Sequence, residues 1–403
     1  MSKLKVALVC DWLTNVGGAE KVLLYIHKLY PDAPIYTSKY NPRKIDWFLD
    51  ADVRTGWMQI FPTNLRRFLG VFRQKYFEHL DLSEYDLVIS VTGAEAKSVK
   101  APNGLHVSYC HVPTQYYWQM YDDYVKNPGF GILDPFVRFC FKKLVKPLRK
   151  ADFEAAQKVD QFVTISEYAK EQIEKYYKRN AIIVHPPVEV DDFKKVLNGK
   201  KTGEMCFPEH EDLARAARSV SGGHASPGFL PFKDYYITTS RQVTWKRLDL
   251  AVKACVELER PLLVVGEGSE HKKLVKMAGK SGLVKFLPLQ KKPELIKLLA
   301  GARGYLFPSL EPFGIAPIEA LATGCPVIAF KEGGAKDYIA DKKNGLLFDK
   351  QTVKSLSEAI LKFEKMKFNK KEVVKSAEKF GLDRFNKEFA VAIKESFDQK
   401  CKK

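Results

Sequence analysis

The sequence predicts an α/β protein with two doubly wound domains, each built from a parallel sheet covered by helices. The chain has 403 residues, which is more than one hydrophobic core usually organises and close to what two α/β domains need. Short β-rich apolar segments alternate with longer helical patterns, and this alternation is typical of parallel sheets. It stops at Pro186 and Pro187 and begins again at Tyr235, so we expect two such domains.

The first alternation predicts the N-terminal domain, residues 1–190. Its segments are short and apolar, as buried parallel strands are, with helical patterns between them. The predicted strands are residues 5–10, 86–91, 106–110, 162–165 and 182–185, and the predicted helices are residues 19–30, 152–159 and 167–177.

The second alternation predicts a C-terminal domain, residues 233–382. Its predicted strands, with a helix between each pair, are residues 235–239, 262–265, 284–287, 305–307 and 327–330. Residues 191–232 contain Gly, Ser, Pro and His in irregular order, so we expect a linker or insertion there. The last segment, residues 383–403, has a helical pattern with one apolar face.

The composition predicts a cytoplasmic globular protein. The chain is 45% hydrophobic and 28% charged, which is an ordinary globular balance. No apolar segment approaches the ~18 residues that span a bilayer, and the first residues lack a cleavable hydrophobic region. The 7 cysteines are scattered and never spaced as CxxC, so neither a disulfide framework nor a zinc site is indicated.

The net charge of +18 favours a polyanionic partner. The first basic segment, residues 66–77, and the second basic segment, residues 136–150, both mix basic with aromatic residues and are predicted to be amphipathic helices. Two interpretations stay open: core-packing helices with solvated faces, or a surface that docks on an anionic membrane. Nucleic acid is disfavoured as a partner because no zinc-finger, RNP-like or helix-turn-helix signal accompanies the charge. The basic residues are Arg66, Arg67, Arg73 and Lys75 in the first segment and Arg138, Lys142, Lys143, Lys146, Arg149 and Lys150 in the second.

Three other site motifs are weak. Gly266-Glu267-Gly268 follows a predicted strand but lacks the third glycine of a dinucleotide fingerprint, which disfavours a nucleotide-sugar epimerase or dehydrogenase. Gly279-Lys280-Ser281 imitates the end of a P-loop without its first glycine. Asp50-Ala51-Asp52 has the DxD spacing of a metal site, but we interpret it as a polar surface turn.

The strongest signal is the segment from Glu311 to Glu319, which follows a predicted strand and opens a predicted helix. The two carboxylates are placed to face the same edge of the sheet, at the carboxyl ends of the strands. The amides of Phe313, Gly314 and Ile315 lie at a helix N-terminus, where N–H groups and the helix dipole suit a pyrophosphate.

This segment resembles the ExxxxxxxE motif of family 4 of the retaining glycosyltransferases, which have the GT-B fold of two Rossmann-like domains facing across a cleft. The resemblance covers nearly the whole chain except about residues 197–232. It implies that the C-terminal helix crosses back to complete the N-terminal acceptor domain. The further matching segments are Gly17 to Glu20, Pro186 to Val188, Ser240 to Arg247, Gly266 to Gly268 and Gly324 to Ile328.

The resemblance implies a role for each matching residue of the C-terminal donor domain. Glu311 would contact hydroxyls of the donor sugar and Glu319 the ribose, while Arg241 and Lys246 would neutralise the diphosphate. A fixed cation pair and helix-end amides can stabilise a departing diphosphate, so neither a metal nor a cofactor is expected. The alternative for Arg241 and Lys246 is a surface pair in a basic protein. Gly266 and Glu267 would form the loop beside the base.

In the N-terminal domain, the resemblance places His111 beside the transferred sugar and the backbone of Gly17 and Gly18 beside the donor phosphate and acceptor. The alternatives are a structural histidine and a plain loop-to-helix turn. Domain closure would then exclude water from the donor.

The segment after His111 also resembles the mannosyltransferase-like branch of polysaccharide assembly, because Pro113 is followed by Tyr116, Tyr117 and Trp118. It implies transfer of a hexose from GDP-mannose, with retention of configuration, to a glycan or lipid-linked acceptor at the cytoplasmic face of the membrane. A UDP-sugar donor is the first alternative. The second is a non-enzymatic protein that binds membrane or nucleic acid, which would explain the charge alone.

Overall fold

The chain divides into two compact units, and each is described by itself. The first unit comprises Met1–Pro187 and Phe385–Lys403, and the second comprises Val188–Arg384. Most of the predicted linker and the residues Arg66 and Arg67 lie outside the described residues. The computed structural model describes residues 4–62, 69–126, 128, 131–198 and 234–402.

The first unit contains a seven-stranded sheet in the order β3-β2-β1-β4-β5-β6-β7. All of its strand pairs are parallel. The central strands β1, β4 and β5 are buried along their whole length, as expected for a parallel sheet covered on both faces. The strands are β1 Val6–Cys10, β2 Ile35–Thr37, β3 Val53–Arg54, β4 Leu87–Thr92, β5 Leu105–Cys110, β6 Gln161–Thr164 and β7 Ala181–Ile183.

The helices of this part of the chain lie between the strands, as expected for crossover connections. They are α1 Gly18–Leu29, α2 Gly70–Glu78, α3 Tyr121–Lys126, α4 Asp134–Gln157 and α5 Glu167–Tyr177, with 3-10 turns at Trp57–Ile60, Ala96–Ser98 and Gly131–Leu133.

The second unit contains a six-stranded parallel sheet in the order β10-β9-β8-β11-β12-β13. Its strands are β8 Tyr236–Thr239, β9 Leu262–Val265, β10 Val284–Leu287, β11 Gly304–Phe307, β12 Val327–Phe330 and β13 Gly345–Phe348. Its helices are α6 Val190–Asn198, α7 Leu248–Glu257, α8 His271–Ala278, α9 Lys292–Gly301, α10 Ile315–Ala322, α11 Ala335–Tyr338, α12 Val353–Glu364 and α13 Lys370–Glu378, with a 3-10 turn at Thr244–Lys246.

The last helix, α14 (Leu382–Cys401), packs in the first unit. Phe385 and Phe389 are fully buried, and their rings lie 6.2 and 6.0 Å from the ring of Tyr109 in β5. The Lys400 Nζ donates to the carbonyl of Gly104 at 2.6 Å. This apolar face therefore belongs to the core of the first unit.

The fold class is confirmed: both units are Rossmann-like α/β folds with parallel sheets. Details of the predicted elements differ. The helix predicted at residues 152–159 is the end of the 24-residue α4, which continues through Pro147. The strands β2, β3 and β13 were not predicted. Two residues in β3 are too few to show a pattern, and β13 begins with Gly345, a residue that is depleted in strands.

The prediction of a polar surface turn at Asp50-Ala51-Asp52 is confirmed: the three residues form a turn with both aspartates exposed, directly before the edge strand β3. The Asp52 carboxylate is held by Arg54 at 2.7 Å. Among the described residues, no group of three or more His, Cys, Asp or Glu side chains is arranged to hold a metal ion. No helix in the described ranges is long and apolar enough to cross a membrane.

Candidate active site

The candidate site of the second unit lies at the carboxyl ends of β8 and β11, which pair directly. The strand order reverses between them, with β9 on one side and β12 on the other. Ligands of doubly wound folds bind at such a switch point. The loop after β8 carries Arg241 and Lys246, and the loop after β11 carries Glu311, so the fold brings these predicted residues to one sheet edge.

Lys246 and Glu311 form an ion pair at this edge. The Lys246 Nζ lies 2.5 Å from Glu311 Oε1, and the side chains are 15% and 20% exposed. The Ser309 hydroxyl also donates to Oε1, at 2.8 Å. Both contacts go to the same oxygen, so Oε2 of Glu311 accepts no hydrogen bond from the described part of the chain. The pair is oriented but still accessible to a ligand.

Arg241 is exposed at the end of β8, and its guanidinium lies 6.0 Å from the ring of Trp245. The next residue, Gln242, is fully buried and anchors the loop. Its Nε2 donates to the Gly266 carbonyl at 2.5 Å, and its Oε1 accepts from His271 Nδ1 at 2.8 Å. Arg241 is therefore an exposed cation on a fixed backbone.

The Gly266-Glu267-Gly268 loop packs against this same backbone. A Cβ on Gly266 would lie 2.3 Å from the Ser240 carbonyl oxygen, and one on Gly268 would lie 2.3 Å from the Gln242 carbonyl oxygen. Neither site admits a side chain, which explains the two glycines without a dinucleotide fingerprint. Glu267 lies between them and is exposed.

The helix α10 begins after Gly314, where no side chain caps the first N–H groups. Gly314 has a φ of +97°, and a Cβ there would lie 2.7 Å from the Phe307 ring. The Phe313 side chain is buried and packs edge-on against Tyr338 at 5.9 Å. Phe313 is therefore a core anchor, while the backbone from Phe313 to Ile315 leads into the uncapped N-terminus that suits an anion.

Glu319 lies on α10 and is half-buried. Its negative charge, like that of Glu311, raises the pKa of the buried Tyr305 phenol in β11. Burial raises the pKa of Tyr305, the hydrogen bonds with Thr239 oppose this, and the charges of Glu311 and Glu319 raise it further. The negative charges of both carboxylates therefore act on the same buried phenol.

In the first unit, Gly17 and Gly18 begin α1 with no side-chain cap. Gly17 is extended, with φ −161° and ψ 179°, a conformation open to any residue. A Cβ on Gly17 would meet only the flexible carboxylate of Glu20, at 2.7 Å. The local backbone therefore does not explain Gly17, which precedes a helix N-terminus without a side-chain cap.

His111 follows β5 directly, and its backbone N–H donates to the Thr92 carbonyl at 2.9 Å. Its ring packs edge-on against Tyr109 at 5.6 Å. The Nε2 atom is buried and has no hydrogen-bond partner among the described residues. Burial lowers the pKa of His111 to about 4, so the imidazole is neutral at pH 7.

Asp11 is a site-edge residue that the sequence analysis missed. It follows β1, is buried, and accepts hydrogen bonds from the Thr92 hydroxyl at 2.9 Å and from the backbone N–H groups of Gly93 and Ala96 at 3.0 and 2.8 Å. Burial raises the pKa of its carboxyl, and the backbone N–H groups oppose that effect. Its position directly after the first strand was the signal that could have identified it.

The first basic segment contains a second missed feature. The Arg73 Nε lies 2.8 Å from Glu95 Oε2, with side chains only 3% and 2% exposed. Glu95 also accepts hydrogen bonds from the hydroxyls of Tyr116 and Tyr117. These tyrosines, which carry part of the mannosyltransferase-like resemblance, therefore hold a buried network together, and Arg73 is not a solvated cation.

Trp118, the third aromatic residue of that resemblance, also bonds to a buried carboxylate, that of Asp152. Its Nε1 donates to Asp152 at 2.7 Å. Asp152 also pairs with the buried Lys97, at 2.5 Å, and accepts from the Tyr177 hydroxyl at 2.8 Å. Two buried ionic networks therefore underlie the segment after His111.

Comparison with known proteins supports the fold and the family. Residues 226–380 match the family described as Glycosyl transferases group 1. The mouse alpha-1,3/1,6-mannosyltransferase ALG2 is 26% identical over 397 residues, covering 87% of this chain and 85% of that protein. Spinach sucrose-phosphate synthase is 43% identical over 72 residues, which are 17% of this chain and only 7% of that protein.

Among solved structures, the chain is similar to Anabaena HepE in complex with UDP, with a TM-score of 0.67 and 18% identity over 97% of this chain and 100% of that one. The matched residues include four of the candidate site residues, Arg241, Lys246, Glu311 and Glu319. The motifs, the two parallel sheets and the matched region agree: residues 226–380 match the glycosyl transferases group 1, and the chain has the GT-B fold.

Proposed function

We propose that this glycosyltransferase is a retaining, metal-independent hexosyltransferase, with GDP-mannose as its donor. The observation that carries the proposal is the accessible Lys246–Glu311 pair, at 2.5 Å, at the same sheet edge as Arg241 and the uncapped start of α10. The arrangement offers two cations and a set of N–H groups for one anionic ligand, and two carboxylates for its hydroxyls.

The charge supports a nucleoside diphosphate as leaving group. Negative charge accumulates on the diphosphate as its bond to the sugar breaks, and fixed cations and helix-end amides stabilise it where it develops. Arg241 and Lys246 supply the cations, and the amides from Phe313 to Ile315 supply the donors. These groups take the place of a divalent ion, so we propose that catalysis needs no metal.

The two glutamates would then orient the donor through its hydroxyls. Glu311 has one oxygen committed to Lys246 and Ser309, which fixes the carboxylate plane for contacts with the sugar. Glu319 would accept the ribose hydroxyls, and the exposed Glu267 would lie beside the base. A buried hydrogen-bond acceptor discriminates strongly among ligands, because an unmatched one costs free energy.

For the transfer itself, we propose attack by an acceptor hydroxyl on the face from which the diphosphate leaves. The bond from the anomeric carbon to the phosphate oxygen breaks, the bond to the acceptor oxygen forms, and the hydroxyl proton passes to the departing phosphate. The neutral His111, with its unpartnered Nε2, would hydrogen-bond the transferred sugar and would not act as a strong acid. Gly17 and Gly18 would present the bare start of α1 to the donor phosphate and acceptor.

Mannose as the sugar is supported by the 26% identity with a protein described as a mannosyltransferase. A UDP-sugar is the second candidate, because HepE was solved in complex with UDP. The acceptor would be a glycan or a lipid-linked glycan in cell-surface polysaccharide or glycoconjugate synthesis. The net charge of +18 suits a cytoplasmic enzyme that meets an anionic membrane peripherally.

The test is calorimetric titration of GDP-mannose, UDP-glucose, UDP-N-acetylglucosamine and the bare nucleotides, with and without magnesium. We expect one nucleotide family to bind without magnesium, and Arg241→Ala to weaken it at least tenfold. The control is Lys354→Ala, an exposed lysine on α12, which should bind as the wild type does. Absence of binding to every nucleotide would overturn the proposal in favour of a non-enzymatic protein that binds membrane or nucleic acid.

A further inference from the structure

The helix α4 presents one exposed face over much of its length. We define the α4 face as Phe136, Phe139, Lys143, Lys146 and Lys150, which follow one another at spacings of three and four residues. Such spacing places all five on one side of a helix, over about 20 Å. All five are exposed, whereas Val145, on the opposite side, is buried.

The opposite side of α4 is fixed to the first unit by aromatic contacts. The Arg149 guanidinium lies 5.3 Å from the ring of Trp118 and 4.8 Å from the ring of Tyr121. The ring of Phe141 lies 5.5 Å from that of Tyr121. These contacts set the rotation of the helix, so the α4 face is held outward and cannot turn into the core.

The N-terminal half of the α4 face is apolar. Phe136 and Phe139 are 67% and 57% exposed, and Ile132 and Leu133, just before the helix, are 96% and 56% exposed. Single exposed apolar residues are ordinary, but four large ones within eight residues form a patch of the kind that marks an interaction surface.

The C-terminal half of the α4 face is cationic. Residues 134–150 contain six basic residues and one acidic residue. The Lys143 Nζ lies 4.5 Å from the Phe139 ring, and Lys146 forms no ion pair within the described part of the chain. Lys150 has only an exposed contact with Glu154, at 3.9 Å. The exposed acidic residues Asp122 and Asp123 lie on α3, outside the face.

We propose that the α4 face docks on an anionic lipid membrane, with the phenylalanines in the interface and the lysines at the headgroups. Lysine side chains reach headgroup phosphates while their apolar stems lie along the interface. A second copy of the chain is disfavoured as the partner because the lysines of the two copies would repel each other. A nucleic acid is disfavoured because it would not bury the exposed apolar side chains of Ile132 and Leu133. The inference rests on the proposed function in one respect: the enzyme would bind a lipid-linked acceptor at the membrane surface.

The test is co-sedimentation of the full chain with phosphatidylcholine vesicles that contain or lack phosphatidylserine. Each lysine near an anionic surface contributes roughly fivefold to the partition coefficient. The triple variant Lys143→Glu, Lys146→Glu, Lys150→Glu should therefore lose about a hundredfold or more. The variant Phe136→Ser, Phe139→Ser should lose roughly tenfold through its apolar area.

The matched control changes an exposed aromatic and an exposed lysine on α2, as Phe72→Ser with Lys75→Glu. It should bind vesicles within about fivefold of the wild type, because its single charge reversal lies outside the α4 face. No vesicle binding by the wild type, equal binding to vesicles without phosphatidylserine, or equal losses in the control would each overturn the inference. So would a wild-type dimer that only the α4 variants break. Donor titration of the same variants separates this test from that of the proposed function, because neither α4 variant touches the donor site.

Discussion

The two units contain ion pairs of the same chemistry in opposite surroundings. Arg73–Glu95 in the first unit has side chains only 3% and 2% exposed, and its carboxylate also accepts from two tyrosine hydroxyls. Lys246–Glu311 in the second unit is 15% and 20% exposed, and one carboxylate oxygen accepts nothing from the described residues. The carboxylate of the first pair has all its partners within the protein, whereas the carboxylate of the second pair keeps one oxygen for a ligand.

The difference distinguishes structural charges from functional ones. A buried pair adds little stability over apolar packing, but removing one partner leaves an uncompensated charge and is strongly destabilising. A partly exposed pair is screened, so breaking it costs little stability. Breaking such a pair instead lowers the affinity for any ligand that the pair contacts.

The largest expected effect is on the stability of the first unit. Arg73→Met leaves Glu95 buried without its cation, and should lower the free energy of unfolding by about 3–5 kcal/mol. Urea denaturation followed by circular dichroism measures it. Lys75→Met, an exposed neighbour on α2, is the control and should change stability by under ~0.5 kcal/mol. Similar losses in both variants would show that the Arg73 pair is not the cause.

The second effect is on catalysis. Lys246→Met should lower kcat/KM for the preferred donor by about 10²–10³-fold, as removal of one group that stabilises developing charge does. The free energy of unfolding should fall by no more than ~1 kcal/mol. Steady-state kinetics and urea denaturation on the same sample separate the two. If Lys246→Met were as destabilising as Arg73→Met, the contrast between the pairs would fail.

The smallest effect concerns a buried group that the first unit keeps neutral. Burial lowers the pKa of His106 to about 4, with Asp160 opposing and Lys400 adding to the shift. Its Nε2 lies 2.9 Å from the Ser90 hydroxyl. Since the unfolded histidine titrates near 6.5, the unfolded state binds the proton first, and stability falls as the pH drops from about 6.5 towards 4.

Replacement by a non-titrating residue should remove this part of the pH dependence. For His106→Gln, the loss of stability between pH 7 and pH 4.5 should be smaller than for the wild type by about 1–3 kcal/mol. Urea denaturation across that range measures the difference. The exposed His79, replaced by Gln, should leave the profile of the wild type unchanged. An unchanged profile in His106→Gln would mean that the ring is already protonated, or solvated, in the folded protein.

The sequence was most informative where function is local. The stretch from Glu311 to Glu319 carries two carboxylates and a helix start within nine residues, and the resemblance supplied Arg241 and Lys246 from the loop after the neighbouring strand. The long buried strands β4 and β5 were predicted because both are rich in apolar and β-branched residues between turn signals.

The buried network of the first unit could not be predicted, because its members come from separate parts of the chain. Arg73 lies in a segment that looks like a solvated basic helix, and nothing near it in sequence identifies Glu95 as its partner. Periodicity reports which face of a helix is apolar, but not which cation that face buries. The two basic segments look alike in sequence and differ only in what each packs against.

The buried Gln242 side chain joins the loop after β8 to Gly266 and His271, and this limits which residues near Arg241 can be substituted. Gly266 and Gly268 pack directly against the backbone of Ser240 and Gln242. Substitution of Ser240 or Gln242 would therefore shift the backbone that positions Arg241. The side chains of Trp245 and Glu267 are exposed, but the Trp245 ring lies beside the Arg241 guanidinium, so Glu267 is the position that can vary without touching the cation. Under the proposed function, a library at Glu267 would sample new bases and sugars while the backbone that positions Arg241 stays unchanged.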